Sequence, residues 1–102
     1  MLDLRPICEH CAKPLPPHAT EARICSFECT FCVDCVDGLL GNVCPNCGGG
    51  FVPRPVRPST NWKGGNSLSA YPATTARKHR PVDLRAHAAL RDAVGTLPPE
   101  ER

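Results

Sequence analysis

Eight cysteines carry the chemistry of this chain: Cys8, Cys11, Cys25, Cys29, Cys32, Cys35, Cys44 and Cys47. Six of them fall within CSFECTFCVDCVDGLLGNVCPNC, from Cys25 to Cys47, and none follows. They read as C-x2-C, thirteen residues, C-x3-C, two residues, C-x2-C, eight residues, C-x2-C, which makes four short pairs. A short pair suits a tetrahedral ion, because one tight turn aims both thiolates at a metal about 2.3 Å away. Two pairs on one ion leave no position for water, so such a centre is structural rather than catalytic. Cys44-Pro45-Asn46-Cys47-Gly48 reads as a zinc knuckle. Pro45 presets one turn angle, and Gly48 permits the sharp turn that brings backbone N–H groups to the sulfurs.

Other uses of clustered thiols fit less well. Disulfides require an oxidising compartment, and nothing in the sequence indicates one. Redox-active C-x2-C pairs accompany a βαβ pattern that is absent here. Thiolate ligation alone leaves iron open beside zinc; the reading is two structural Zn2+. Sequential pairing would join Cys8/Cys11 to Cys25/Cys29. Interleaved pairing joins Cys8, Cys11, Cys32 and Cys35 in one site and Cys25, Cys29, Cys44 and Cys47 in the other. The closeness of Cys29 to Cys32 favours interleaving: the second and third pairs can lie along one hairpin and the helix after it, facing opposite metals.

The elements that position these thiols must be small. A chain of 102 residues with 12 prolines and 8 glycines allows one small domain. Its large apolar residues are few and mostly precede Val56, so metal must supplement the core. Ile24, Phe27, Phe31, Val36, Leu39, Leu40 and Val43 are read as a mini-core beside the metals. The domain is therefore expected over residues 1–52. The Pro-, Ser-, Thr- and Arg-rich stretch 53–81 reads as a flexible linker unable to offset the entropy of ordering. Residues 82–95 read as a short amphipathic helix that Asp83 starts and Gly95 stops, with Leu84, Ala88 and Val94 roughly on one face. About twelve helical residues are marginal in water, so this helix needs the zinc module or a partner to dock on. Residues 96–102 read as a disordered end.

Charge divides the same way. Residues 1–52 hold three basic and six acidic residues, net −3; residues 53–102 hold nine basic and four acidic, net +5. Eight thiolates on two Zn2+ bring the module to an upper limit of about −7. Such a surface repels phosphate, although Arg77-Lys78-His79-Arg80 could contact nucleic acid weakly. The same division suggests a basic tail lying against an acidic module.

Several sites carry no further chemistry. His10 is read as an exposed knuckle residue because the cysteines already fill two sites. His18, His79 and His87 show no partners at ligand spacing. Glu21, Glu28, Asp34 and Asp37 read as a solvated face, and Trp62 and Tyr71 as lone aromatics. No nucleophile triad, phosphate loop or open metal site is present, so no enzyme is expected. The start, MLDLRPICEH, lacks the pattern of a signal peptide, and no apolar run approaches a membrane span. The expectation is a soluble, cytoplasmic, monomeric protein without a membrane partner.

Cys25-Ser-Phe-Glu-Cys29-Thr-Phe31-Cys32-Val-Asp-Cys35-Val36, followed by Cys44-Pro45-Asn46-Cys47, is similar to a RING finger. The resemblance implies a small zinc-stabilised α+β fold: a cross-braced, treble-clef-like module with interleaved sites. It also implies a hairpin near Ala22–Cys25 and Cys29–Phe31, a helix over roughly Val33 to Leu40, and Phe31 in the core. RING fingers commonly recruit a ubiquitin-conjugating enzyme through positions that correspond to His10, Leu39, Pro45 and Gly48. Only Pro45 has the family's residue type, which argues against a ligase-like role, since losing central anchors weakens such contacts severely.

A closer resemblance covers Leu4-Arg5-Pro6, Leu15-Pro16-Pro17, Glu21 to Cys32, and Cys44-Pro45-Asn46-Cys47-Gly48-Gly49. These stretches resemble a family of small bacterial cysteine-rich proteins, domain of unknown function 1272. That family has no assigned activity. The resulting expectation is a structural zinc-binding protein that acts as a small protein-interaction module, its protein partner unidentified. The alternatives are a nucleic-acid-associated protein and a RING-type ligase-like component.

Overall fold

A computed structural model describes residues 1–102. Strand β1 (Ala22–Ile24) pairs antiparallel with β2 (Thr30–Cys32), Arg23 lying opposite Phe31. The five residues Cys25 to Cys29 close the hairpin, with Glu28 in the left-handed region at φ 63°. A loop of this length with one left-handed residue fits the strand twist. Strand β3 (Val52–Pro53) adds to the other edge of β1, in the order β2-β1-β3. The sequence reading had no third strand, because two residues show no alternation.

Helix α1 begins at Val33–Cys35 and widens into a π-type turn at Val36–Leu40. Gly41 ends it at φ 62°, its N–H bonded to the Val36 carbonyl. A side chain there would collide with Arg91, so glycine satisfies both the backbone and the close approach. Helix α2 (Leu84–Val94) starts where Asp83 accepts bonds from the N–H groups of Arg85 and Ala86, an N-cap.

The core is as much sulfur as hydrocarbon. Leu15, Ala22, Phe31, Val36 and Leu40 bury against Cys8, Cys25, Cys29, Cys32, Cys35 and Cys44. Phe51 packs edge-to-face on Phe31, with 5.5 Å between centroids. Phe27 and Leu39 depart from the expected mini-core. Phe27 sits at the hairpin tip and is 70% exposed, and Leu39 is 39% exposed. Leu4, Ile7 and Leu15 are buried in their place.

The expectation of a disordered tail is corrected: the chain beyond β3 is ordered and winds back over the module. Four arginines explain how a segment so poor in apolar residues is held. Arg54 is buried and donates to the carbonyls of Arg5, Leu15 and Pro16. Arg57 donates to Leu2 and Tyr71, Arg91 to Leu39, and Arg102 to Asn42, Gly48 and Leu97. Backbone bonds from Thr74 to Asp3 and from Arg80 to Glu9 add two more stitches. The tail does lie on the acidic module, but its cations meet carbonyl oxygens rather than carboxylates. The two ion pairs, Arg5–Glu9 and Lys13–Glu21, are both internal to the module. Helix α2 docks through His87, Leu90 and Val94, while Leu84 and Ala88 face outward.

Candidate metal centres

Two backbone hairpins of one design present two of the cysteine pairs. In the first, the Cys8 N–H bonds the Lys13 carbonyl at 2.9 Å and the Ala12 N–H bonds the Cys8 carbonyl at 2.9 Å. In the second, Cys44 N–H to Gly49 and Gly48 N–H to Cys44 repeat both bonds at 2.8 Å. Ala12 and Gly48 hold the matching left-handed position, at φ 62° and 76°. The first cysteine of each hairpin is buried and the second is exposed.

The sulfurs of Cys8, Cys11, Cys32 and Cys35 all lie within 4.8 Å of one another. Those of Cys11 and Cys32 are 3.8 Å apart. A tetrahedron with bonds of about 2.3 Å has edges of about 3.8 Å, so the spacing suits a zinc-sized ion. Cys32 ends β2 and Cys35 lies in the first turn of α1, so regular backbone aims both thiols at the first hairpin. The pairs are brought together in interleaved order, across the sheet rather than along the chain.

The second group comprises Cys25, Cys44 and Cys47, again within 4.8 Å of one another. Cys29 stands beside this group without joining it. Backbone N–H groups of Phe27 and Gly49 point at the sulfurs of Cys25 and Cys47, each at 3.4 Å.

The thiols need a cation to ionise together. Burial pushes Cys29, Cys32, Cys35 and Cys44 above the ordinary thiol value, and neighbouring thiols add to the rise. Burial also acts upward on Cys11, but the Lys13 backbone N–H and the thiols of Cys8, Cys32 and Cys35 leave it lowered. Soft sulfur donors gathered at tetrahedral spacing, six of the eight buried, fit Zn2+, which would supply charge compensation and cross-linking.

Glu9 is a residue the sequence reading passed over. It is buried, receives Arg5 at 3.0 Å, and accepts the Thr30 N–H at 2.6 Å, while its own N–H bonds the Thr30 carbonyl. It thereby laces the first hairpin to β2. A glutamate between two ligands resembles a solvated residue in sequence; only its i,i+4 relation to Arg5 hinted otherwise. His10 is likewise engaged: its Nδ1 accepts the Val82 N–H at 2.9 Å. His87 bonds the Leu40 carbonyl at 3.0 Å. Neither histidine belongs to a thiol group. Among the described residues, no helix is long and apolar enough to cross a membrane.

Comparison with known proteins places this geometry in a family context. An uncharacterized protein of Rhizobium meliloti is 53% identical over 81 residues, which cover 79% of this chain and 89% of the relative. An alignment of that length takes in part of the ordered tail as well as the cysteine module. No solved structure matches. Residues 1–57, containing every cysteine, the three strands and Arg54, match the family described as Protein of unknown function (DUF1272), and this chain belongs to that family.

Proposed function

We propose that this protein is a structural double-zinc module, RING-like in its cross-brace, that serves as a small protein-interaction domain in the cytoplasm. The convergence of four thiols from two distant pairs supports this reading most strongly. In the proposal Cys8, Cys11, Cys32 and Cys35 hold one Zn2+, and Cys25, Cys44 and Cys47 hold the second. Cys29, next in the chain to this group, completes the second site in this reading. Structural zinc contributes on the order of 10–16 kcal/mol of folding free energy per site, as much as a whole domain's typical margin. The protein is monomeric and not an enzyme in this reading.

Occupancy of the RING-equivalent surface favours this over a ligase-like role. Val82 bonds His10, Arg91 bonds the Leu39 carbonyl, and Arg102 bonds the Gly48 carbonyl. Metal quantification on protein purified without added metal tests the proposal. Two zincs per chain, with unfolding on chelation, are expected; one zinc, or a fold unchanged after full metal removal, counts against it.

One observation favours a second reading, nucleic-acid association. The side chains of Arg77, Lys78, Arg80 and Arg85 find no ion-pair or hydrogen-bond partner within the chain. A salt-dependent mobility shift with DNA or RNA, abolished by Arg77→Ala, Lys78→Ala and Arg80→Ala together, would support that reading.

A further inference from the structure

Glu9 belongs to one thiol group by sequence and reaches toward the other in space. It lies between Cys8 and Cys11 in the first hairpin. Its carboxylate accepts the Thr30 N–H at 2.6 Å, and its own N–H donates to the Thr30 carbonyl at 2.9 Å. One residue of the hairpin thus takes both backbone polar groups of one residue of β2. Arg5 donates to the same carboxylate oxygen at 3.0 Å and holds it in place. Glu9 and Thr30 are 4% and 1% exposed, so losing either bond would leave a buried group unsatisfied.

Thr30 directly follows Cys29, the one cysteine outside both thiol groups. The Thr30 hydroxyl donates to the Glu28 carbonyl at 2.9 Å, which ties together the residues on either side of Cys29. The Cys29 carbonyl accepts the Cys25 N–H at 3.2 Å. The short segment that carries Cys29 is therefore internally braced, and Glu9 anchors it to the first hairpin. The second hairpin has no such reach. The residue after its first cysteine is Pro45, which offers neither an N–H nor a carboxylate. The link runs one way, from the hairpin of Cys8 and Cys11 to the segment of Cys29.

We propose that Glu9 is a positioning residue that couples the two metal centres. Gathering Cys8 and Cys11 with Cys32 and Cys35 seats Glu9 on Thr30, and that seat sets Cys29 beside Cys25, Cys44 and Cys47. The coupling depends on the reach of the side chain rather than on its charge. Its consequence is a hierarchy: loss of the first centre weakens the second through Glu9, while the four thiols of the first centre hold without the second. The proposal rests on the two-zinc reading above, in which Cys29 is a ligand.

The test titrates the full-length chain, stripped of metal, with 113Cd2+, a soft ion that replaces zinc on thiolates. One NMR resonance per centre is followed against a competing chelator, and Cys11→Ser assigns the first centre by removing its resonance. Glu9→Gln keeps the reach and drops the charge, whereas Glu9→Asp keeps the charge and is one methylene too short. Glu9→Asp is expected to weaken the second centre about tenfold and the first less than about threefold. Glu9→Gln should match the wild type at both. Cys11→Ser should weaken the second centre about tenfold in the wild-type background and no further in the Glu9→Asp background. Glu9→Asp that weakens both centres equally or neither, Glu9→Gln that falls short of the wild type, or additive losses in the double variant each overturn the coupling. If the wild type still binds two ions, such a result sinks the coupling alone; fewer than two in the wild type sinks the module reading beneath it.

Discussion

The two cysteine hairpins share one hydrogen-bond frame, yet the thiol groups built on them differ. The first gathers four sulfurs; the second gathers three and leaves Cys29 aside. The hairpins are not the cause, because their bonds agree within 0.1 Å. The difference lies in the partner pair. Cys32 and Cys35 are carried by a strand end and a helical turn, whereas Cys25 and Cys29 are carried by the five-residue hairpin loop. Regular elements hold a side chain more accurately than a loop does. A residue inside the first hairpin reinforces this: Glu9 ties it to β2. The lesson is that two hairpins of one design do not make equal sites.

Removing one thiol from each site probes that contrast most strongly. Cys35→Ser should abolish the first site and unfold the chain, a loss on the order of 10 kcal/mol. Cys29→Ser should be milder, with the first zinc retained and a cooperative thermal transition still visible by circular dichroism. Equal damage from the two substitutions would erase the distinction.

Acid should separate the sites next. Burial holds Cys29, Cys32, Cys35 and Cys44 above their ordinary value, so zinc uptake there must expel protons. Metal-derived stability is therefore present at neutral pH and lost as pH falls and protons compete for sulfur. Metal release followed with a chromogenic chelator should show the second site emptying at higher pH than the first. Proton release in weak buffer on zinc addition checks the sign.

The arginine stitches give a smaller contrast. Arg54→Ala leaves three carbonyls near the first hairpin without their donor and should cost about 2–3 kcal/mol by denaturant titration. Arg91→Ala, on the more exposed side chain near the second hairpin, should cost about 1 kcal/mol or less. A last test exchanges the left-handed residues. Ala12→Gly should stabilise by up to about 1 kcal/mol and Gly48→Ala should destabilise by about 1–2 kcal/mol, measured as opposite shifts in Tm.

Much of the module was legible because cysteine spacing is a strong signal and the RING-finger resemblance implied the hairpin and first helix. The expected strands at 22–25 and 29–31 and the helix at 33–40 differ from the structure by about one residue, within normal boundary scatter. The helix near 84–94 was legible from Asp83, but its docking face was not: His87 and Arg91 bind carbonyls, and hydrophobic periodicity is blind to that. The same holds for the whole arm. Arg54, Arg57 and Arg102 in a proline-rich stretch resemble solvated charge, since a bond from guanidinium to a distant carbonyl has no local pattern. Phe27 misled in the other direction, being apolar in type but placed at a hairpin tip.

Arg54 has one more consequence, for the order of events at the ribosome. Its guanidinium joins residues 5, 15 and 16, yet in synthesis from the N-terminus it emerges after Cys47. Every thiol is thus translated before the clasp that closes the amino-terminal loop. A nascent chain can gather its thiols while that loop is still open, and the arriving arginine then shuts it behind them.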